Sequence, residues 1–583
     1  MKVMKAITIL FCVIIVLGSC KETSSKKEKV DDYLAWENYA GTKDGARYSL
    51  LDQINKGNVQ DLKVAWTYTS NDKDTNNRSQ NQCNPIIVDG VLYGTSPKSK
   101  LFALNAKTGK QLWSFDPAKM GPTTASPNKY YNIIRGVVYW ENESGEEQRI
   151  FYSAGQKTFC VDAKKGTLVT TFGKEGCLDL SENLDRPEKD FNPFIASTSP
   201  GITYGDLLVV SMRVAETADA APGHIRWVFH TIPHPGEFGY ESWPDKEAWK
   251  KLGGANNWAG MSLDSNNGIL YVPTGSVSGD FYGGFSKGKN LLFNSLIALE
   301  ATSGKYLWHY QTVHHDLWDR DLSANPNLVT LTKEGETVEA VAQITKHGYI
   351  FVFDRKTGEP VFPIEEIPVP QNALPGEEPW PTQPIPALPE PFARQKFTEE
   401  DVWGLEPEQH EELLEKFKMI RNVKKFSPPS KEGGWIFPGF DGGGEWGGAA
   451  FDPETQVMYV NSTELPWSLT MIDVPKDSGE DISLKGIGNQ VYNKYCLACH
   501  GPDRKGNGES FPSLEGISDK YSNEHILDII ENGKNRMPAF GQLKDNEKTA
   551  LLAFLQDILD KEAAITSDLE PKEEAMEETR KKS

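Results

Sequence analysis

Leu101-Phe102-Ala103-Leu104-Asn105-Ala106-Lys107-Thr108-Gly109-Lys110-Gln111-Leu112-Trp113 returns later in the chain as Leu296-Ile297-Ala298-Leu299-Glu300-Ala301-Thr302-Ser303-Gly304-Lys305-Tyr306-Leu307-Trp308. Weaker copies run through Cys160-Val161-Asp162-Ala163-Lys164-Lys165-Gly166 and Val352-Phe353-Asp354-Arg355-Lys356-Thr357-Gly358. Each copy reads as a strand, a turn closed by Gly, and a second strand, with Trp113 and Trp308 four residues beyond the turn Gly. Glycine adopts the positive φ such a turn needs. The large indole that the two strongest copies share at this place fits flat between neighbouring sheets. A unit that cannot bury its own apolar face must stack on copies of itself. The expected fold is therefore an all-β propeller of radially arranged blades, with a β-sandwich as the competing arrangement.

A second constraint sits near the C-terminal end, in Tyr495-Cys496-Leu497-Ala498-Cys499-His500. Cys-x-x-Cys-His is the signature of covalent c-type haem attachment: Cys496 and Cys499 add to the haem vinyl groups and His500 ligates the iron. No second cysteine pair follows, which argues against a zinc site. Met537, in Asn535-Arg536-Met537-Pro538, is the expected second axial ligand, as in small class I cytochromes c. His/Met ligation raises the iron potential and makes the haem an electron acceptor.

The start of the chain agrees with that chemistry. Basic residues through Lys5, an apolar run from Ala6 to Leu17 and Leu17-Gly18-Ser19-Cys20 read as a signal peptide with a lipobox-like end, too short to span a membrane. It resembles bacterial lipoprotein signals and implies lipidation of Cys20, which places the protein in the cell envelope, where haem is attached covalently. Lys and Arg number 62 against 82 Asp and Glu, a net charge of −20 that excludes nucleic acid as a partner. Cys83, Cys160 and Cys177 remain; they form at most one internal disulfide, or serve as small buried apolar residues.

Along the chain, residues 1–20 are the expected signal, 21–33 a Ser/Lys/Glu-rich tether, 34–470 the propeller, 485–562 a small all-α cytochrome c domain, and 563–583 a charged disordered tail. Pro363 to Pro391 reads as an ordered excursion over the propeller surface, and Glu399 to Lys418 as one helix.

Between the repeats stand Val313-His314-His315-Asp316-Leu317-Trp318-Asp319-Arg320-Asp321 and Thr345-Lys346-His347-Gly348-Tyr349. Together with the Trp-bearing units these segments resemble the quinoprotein dehydrogenases that use pyrroloquinoline quinone (PQQ), most closely the membrane glucose and quinate type. The resemblance covers Trp36 to Trp467, with the haem segment as a fused module. It implies an eight-bladed propeller. It also implies that Asp319 is the catalytic base, Lys346 the cation on the quinone oxygens, Trp258 the aromatic floor and Arg135 a neighbouring cation. Gln82, Thr198 and Asn461 fall at cofactor contacts. Glu216 and Asp319, with Ser276 or Ser278, fall at a Ca²⁺ site. His230 and His234 read as pocket-rim residues and not as ligands.

The implied activity is oxidation of a sugar, polyol or alcohol. Asp319 takes the hydroxyl proton while hydride passes to PQQ. Electrons then leave singly through the haem to a downstream cytochrome or oxidase. A propeller scaffold without PQQ, or an electron carrier whose propeller only docks partners, is the alternative. The sequence departs from the family in three ways. Tyr131-Asn132-Ile133-Ile134 stands where many relatives carry adjacent cysteines, although the glucose type lacks them too. The unit at Gly223-His224-Ile225-Arg226-Trp227 has no Asp-x-x-x-Gly turn before its Trp. Relatives also continue with further blades after such a haem segment, so an incomplete ring with open sheet edges is expected here.

Overall fold

The computed structural model describes residues 33–73, 80–120, 133–180, 195–211, the backbone of 213–214, 226–277, 279–473, 483–506, 511–534, 537–541 and 543–556. The signal, nearly all of the tether, the charged tail, Tyr131, Asn132, Glu216 and Ser278 lie outside the described residues.

The repeats form antiparallel sheets that follow one another in chain order. The first holds β1 (Ile86–Val88), β2 (Val91–Thr95), β3 (Leu101–Asn105) and β4 (Gln111–Phe115). The second holds β5 (Val138–Glu141), β6 (Gln148–Ala154), β7 (Lys157–Asp162) and β8 (Cys177–Asp179). Two short pairs follow, β9 (Ile195–Ala196) with β12 (Arg213–Val214) and β10 (Ile202–Tyr204) with β11 (Leu207–Val209). A third four-stranded sheet is β13 (Ser262–Asp264), β14 (Ile269–Pro273), β15 (Ser295–Glu300) and β16 (Tyr306–Gln311). The next has β17 (Asn327–Lys333), β18 (Glu336–Ile344) and β19 (Ile350–Asp354). Three pairs complete the β part. They are β20 (Ile364–Pro368) with β21 (Thr382–Pro386), β22 (Gly434–Ile436) with β25 (Trp467–Leu469), and β23 (Gly443–Asp452) with β24 (Val457–Thr463). This is the expected propeller.

The repeat gains its meaning in the packing. Each Trp docks on the turn of a different sheet, three residues from a Gly in every case. The indole nitrogens of Trp66, Trp113, Trp227 and Trp308 donate to the carbonyls of Ala106, Ala163, Ala301 and Arg355 at 3.1, 3.0, 3.2 and 3.0 Å. The glycines that follow, Gly109, Gly166, Gly304 and Gly358, all have positive φ, and an added Cβ would collide with the indole above. Trp227 docks like the others although its own unit lacks the Gly turn. The two strongest copies even share their irregularity. Ala103 faces Trp113 and Ala298 faces Trp308, each with a β-bulge at the next residue.

One N-terminal segment crosses the first strands of four sheets. Carbonyls of Trp36, Lys43, Asp44 and Ala46 accept from the amides of Ile87, Leu263, Leu328 and Phe451, in β1, β13, β17 and β23, at 2.7 to 2.8 Å.

Two expectations at the periphery change or sharpen. The helix expected from Glu399 is split into a single turn at Glu399–Asp401 and a helix at Pro407–Met419, because Pro407 starts a new helix and forces an extended residue before it. The Pro-rich excursion is ordered as the β20–β21 ribbon. Among the described residues no cysteine forms a disulfide: Cys160 is buried in β7 and the Cys83 sulfur accepts the Thr95 amide at 3.3 Å.

The C-terminal part is helical, at Leu484–Tyr495, Leu497–His500, Ile517–Lys520, Asn523–Asn532 and Asp545–Leu555. Ser483 and Ser522 cap the first and fourth by accepting the amides of Gly486 and His525. Val491, Tyr492, Leu497, Ile526, Ile530 and Leu551 form a separate apolar core. No helix among the described residues is long and apolar enough to cross a membrane.

Candidate active site and haem segment

Most of the expected propeller site residues stand ahead of the first strand of a sheet: Gln82 before β1, Arg135 before β5, Thr198 before β10, Trp258 before β13 and Asp319 before β17, with Asp321 beside it. Backbone hydrogen bonds link these entry segments into a belt. Asn84 donates to Arg135 and Arg135 to Thr198; Gly275 donates to Asn256, Leu322 to Thr274 and Gly444 to Thr345. Residues far apart in sequence are thereby brought onto one face.

At the centre, Lys346 Nζ donates to Asp319 Oδ1 at 3.0 Å and lies 3.8 Å from Asp321 Oδ2. Lys346 retains 6% of its side-chain exposure and Asp319 21%, so the carboxylate can be reached while the ammonium is sealed. The Trp258 indole donates to Asp321 Oδ2 at 2.8 Å, and the Ser276 amide holds Asp321 Oδ1 at 2.5 Å. Lys346 lies 5.8 Å and Arg135 5.1 Å from the Trp258 ring. Arg135 also approaches the Trp446 ring at 5.5 Å and donates to Thr198 Oγ1 at 2.8 Å.

The two carboxylates differ in proton affinity. Burial, against the attraction of Lys346 and with the repulsion of Asp321 and Asp280, holds Asp319 well above the usual carboxylate range. Burial also disfavours ionised Asp321, but Lys346 and the donors from Ser276 and Trp258 hold it below that range. Lys346 is raised despite burial, because Asp319, Asp321 and Glu445 surround it. Asp319 is thus a carboxylate poised to take a proton and Asp321 a fixed negative charge.

The loop bearing Asp319 is strained and over-determined. His315 and Asp319 have φ of 45° and 53°, in the region that favours glycine. Asp316 accepts from the amides of Trp318 and Arg320 and from Asn294 and Ser276 side chains. The Pro-rich excursion clamps the other side. Glu366 meets His314 at 3.0 Å, Glu377 meets His315 at 2.7 Å, and the Gln383 side chain bonds both the amide and the carbonyl of His314.

Other expected residues sit less centrally. The Ser276 hydroxyl is committed to Asp316 at 2.5 Å. Gln82 donates to Gln80, and its Oε1 is buried without a partner. Asn461 stands exposed on β24. Sequence reading gave no role to Asp316, Asp321, Asn294, Glu445 or Trp446. Three carboxylates within Asp316–Asp321, and the Gly-rich Gly442-Gly443-Gly444-Glu445-Trp446-Gly447-Gly448, were the available signals.

In the helical part, His500 is buried and its Nδ1 lies 2.9 Å from the Pro512 carbonyl. A carbonyl only accepts, so Nδ1 carries the proton and Nε2 keeps a lone pair that could ligate a metal. Burial lowers the His500 pKa, which keeps the ring neutral. Cys496 is buried, and burial followed by Cys499 pushes its thiol up to about 12. Cys499 is exposed. Met537 is half-buried at a turn bridged to Lys534.

Residues 36–496 match the family described as glucose/ethanol/alcohol dehydrogenase, beta-propeller domain, and residues 486–555 match cytochrome C oxidase, cbb3-type, subunit III. Quinoprotein glucose dehydrogenase A of Acinetobacter calcoaceticus is 32% identical over 495 residues, 78% of this chain and 60% of the relative. The quinate/shikimate dehydrogenase (quinone) of Acinetobacter baylyi is 32% identical over 521 residues, 83% of this chain and 62% of the relative. The chain thus spans about 60% of the length of these relatives. Among solved structures, a quinohemoprotein alcohol dehydrogenase from Comamonas testosteroni aligns with TM-score 0.59 at 18% identity, covering 93% of this chain and 97% of that one. A quinohemoprotein alcohol dehydrogenase from Pseudomonas putida gives 0.56 at 23% identity, covering 78% of this chain and 61% of that one. These two structures speak for the fold. The chain belongs to the PQQ-type glucose/ethanol/alcohol dehydrogenase propeller family, with a cytochrome c domain on its C-terminal side.

Proposed function

We propose that the chain is a quinohaemoprotein dehydrogenase of the cell envelope that oxidises a sugar, polyol or alcohol and delivers the electrons through its haem to a respiratory acceptor. The observation that carries this reading is the Asp319–Lys346 pair at 3.0 Å beside the Trp258 ring. The residues fit PQQ, a flat polyanion. Trp258 offers a flat aromatic face, and Arg135 and Lys346 are cations within 6 Å of it. When bound, PQQ supplies the two-electron acceptor for the substrate hydride.

Asp319 takes the hydroxyl proton of the substrate, aided by its raised proton affinity. Lys346 supplies positive charge where negative charge develops, and its sealed position keeps that charge unscreened. Asp321 orients the Trp258 indole and offsets the charge on Lys346. Asp319 would be an oxygen ligand to a hard cation such as Ca²⁺, with Glu216 as the further carboxylate the resemblance implies. The propeller at 34–470 and the cytochrome at 485–562 divide the two redox steps. Cys20 attaches the protein to a membrane by its lipid.

The test is direct. The haem-loaded protein is incubated with PQQ and Ca²⁺, and the haem absorption is followed on adding glucose, quinate, glycerol or simple alcohols. Substrate-dependent haem reduction is expected. No reduction with any substrate overturns the reading.

A further inference from the structure

Apart from the groups described above, three metal-ligating side chains converge in one short loop. In His230-Thr231-Ile232-Pro233-His234-Pro235-Gly236-Glu237, one ligand atom each from His230, His234 and Glu237 lies within 4.8 Å of the others. The loop is anchored: Ile232 packs against the apolar cluster that contains Trp243, Val277 and Phe293. Its turn is closed from both sides, because the Glu237 amide donates to the His234 carbonyl at 3.0 Å and the His234 amide donates to Glu237 Oε2 at 2.8 Å. The second bond fixes the carboxylate so that Oε1 meets His230 Nδ1, also at 2.8 Å. The His234 ring stacks on His230, with centroids 3.9 Å and planes 6° apart, and Trp249 lies 4.4 Å from it.

We propose that His230, His234 and Glu237 bind one transition-metal dication of the Zn²⁺ or Cu²⁺ class. Tetrahedral ligands at about 2.0–2.2 Å from such an ion stand about 3.3 Å apart. The His230–Glu237 separation is only slightly shorter, so an ion replaces the shared proton with little movement. His234 makes the larger adjustment. An imidazole lone pair lies in the ring plane, and two parallel stacked rings cannot both aim at one ion, so its ring turns out of the stack. The held carboxylate is the second-sphere orientation that metal sites use. Side-chain exposures of 24% for His230 and 41% for Glu237 let the ion enter and leave water the remaining position. Two nitrogens and one oxygen select Zn²⁺, Cu²⁺ or Ni²⁺, whereas Ca²⁺ and Mg²⁺ prefer oxygen alone. The site therefore differs in selectivity from the carboxylates around Lys346, and the inference stands independently of the dehydrogenase reading.

The test uses the full haem-loaded chain without affinity-tag histidines, in saturating Ca²⁺. Zn²⁺ is titrated by calorimetry, and Cu²⁺ is read by electron paramagnetic resonance. One equivalent is expected, with affinity lowered at least about tenfold in His230→Ala, His234→Ala and Glu237→Gln. Cu²⁺ nitrogen superhyperfine structure should report two imidazoles in the wild type and one in His234→Ala. Glu237→Gln keeps the side-chain shape, and unchanged circular dichroism and haem absorption in each variant separate ligand loss from misfolding. Absence of stoichiometric Zn²⁺ binding, or equal affinity in the His230→Ala/His234→Ala double variant, overturns the proposal.

Discussion

The haem segment and the propeller centre are built in opposite ways. Cys496, Cys499 and His500 lie within five residues, and the carbonyl that orients His500 comes from Pro512, close by in the chain. The propeller centre draws Arg135, Thr198, Trp258, Asp319, Lys346 and Trp446 from six separate segments, and two of them make contact only because a belt of backbone bonds joins Arg135 to Thr198. The first survives as long as one short helix forms. The second exists only when sheets separated by hundreds of residues are correctly stacked, so it is both more easily lost and more easily tuned.

The largest effect expected is on the local site. Cys496→Ala/Cys499→Ala should abolish covalent haem, measured as protein-bound haem after acid-solvent extraction, and leave the sheet circular dichroism unchanged; retained covalent haem would break the local account. At the assembled site, Asp319→Asn should lower kcat about 10²–10⁴-fold in the haem-reduction assay while haem content stays full. A rate near wild type removes Asp319 as the base.

Stability sharpens the contrast. Trp308 is buried on the Arg355–Gly358 turn, so Trp308→Ala should cost about 3–5 kcal/mol in urea unfolding of the propeller. Trp66 docks in the same manner but from a largely exposed stretch, so Trp66→Ala should cost less. Equal costs would mean that the docking geometry, and not burial, sets the energy. The smallest effect is on pH dependence. Asp319 must be ionised to act, so kcat/KM should fall on the acid side at a pH above the usual carboxylate range. Lys346 lowers the Asp319 pKa, so Lys346→Gln should move that acid limb upward by about one pH unit or more. An unmoved limb would assign it to another group.

Much was legible in the residues themselves. The Gly of every repeat and the Trp of the two strongest announced blades, since the turn needs positive φ and the indole needs a partner sheet. What the repeat did not reveal is the partner: Trp113 docks on Gly166 and not on its own turn, and Trp227 docks on Gly304 although its own hairpin signal is missing. The Asp319 and Lys346 segments were visible, but Asp321, hidden two residues beyond Asp319, and Trp446, in a Gly-rich run, were not.

The sequence alone determined the repeating β units and the Cys-x-x-Cys-His segment of the cytochrome c domain, because each depends on residues a few positions apart. Only the tertiary structure decided which carboxylate has the higher proton affinity, since that follows from burial and from the separate neighbours of Asp319 and Asp321. It alone brought Arg135, Trp258 and Lys346 together, because no local pattern encodes contacts between distant strands. It also turned His230 and His234 from rim residues into a candidate metal site, since side-chain convergence is a property of the folded loop.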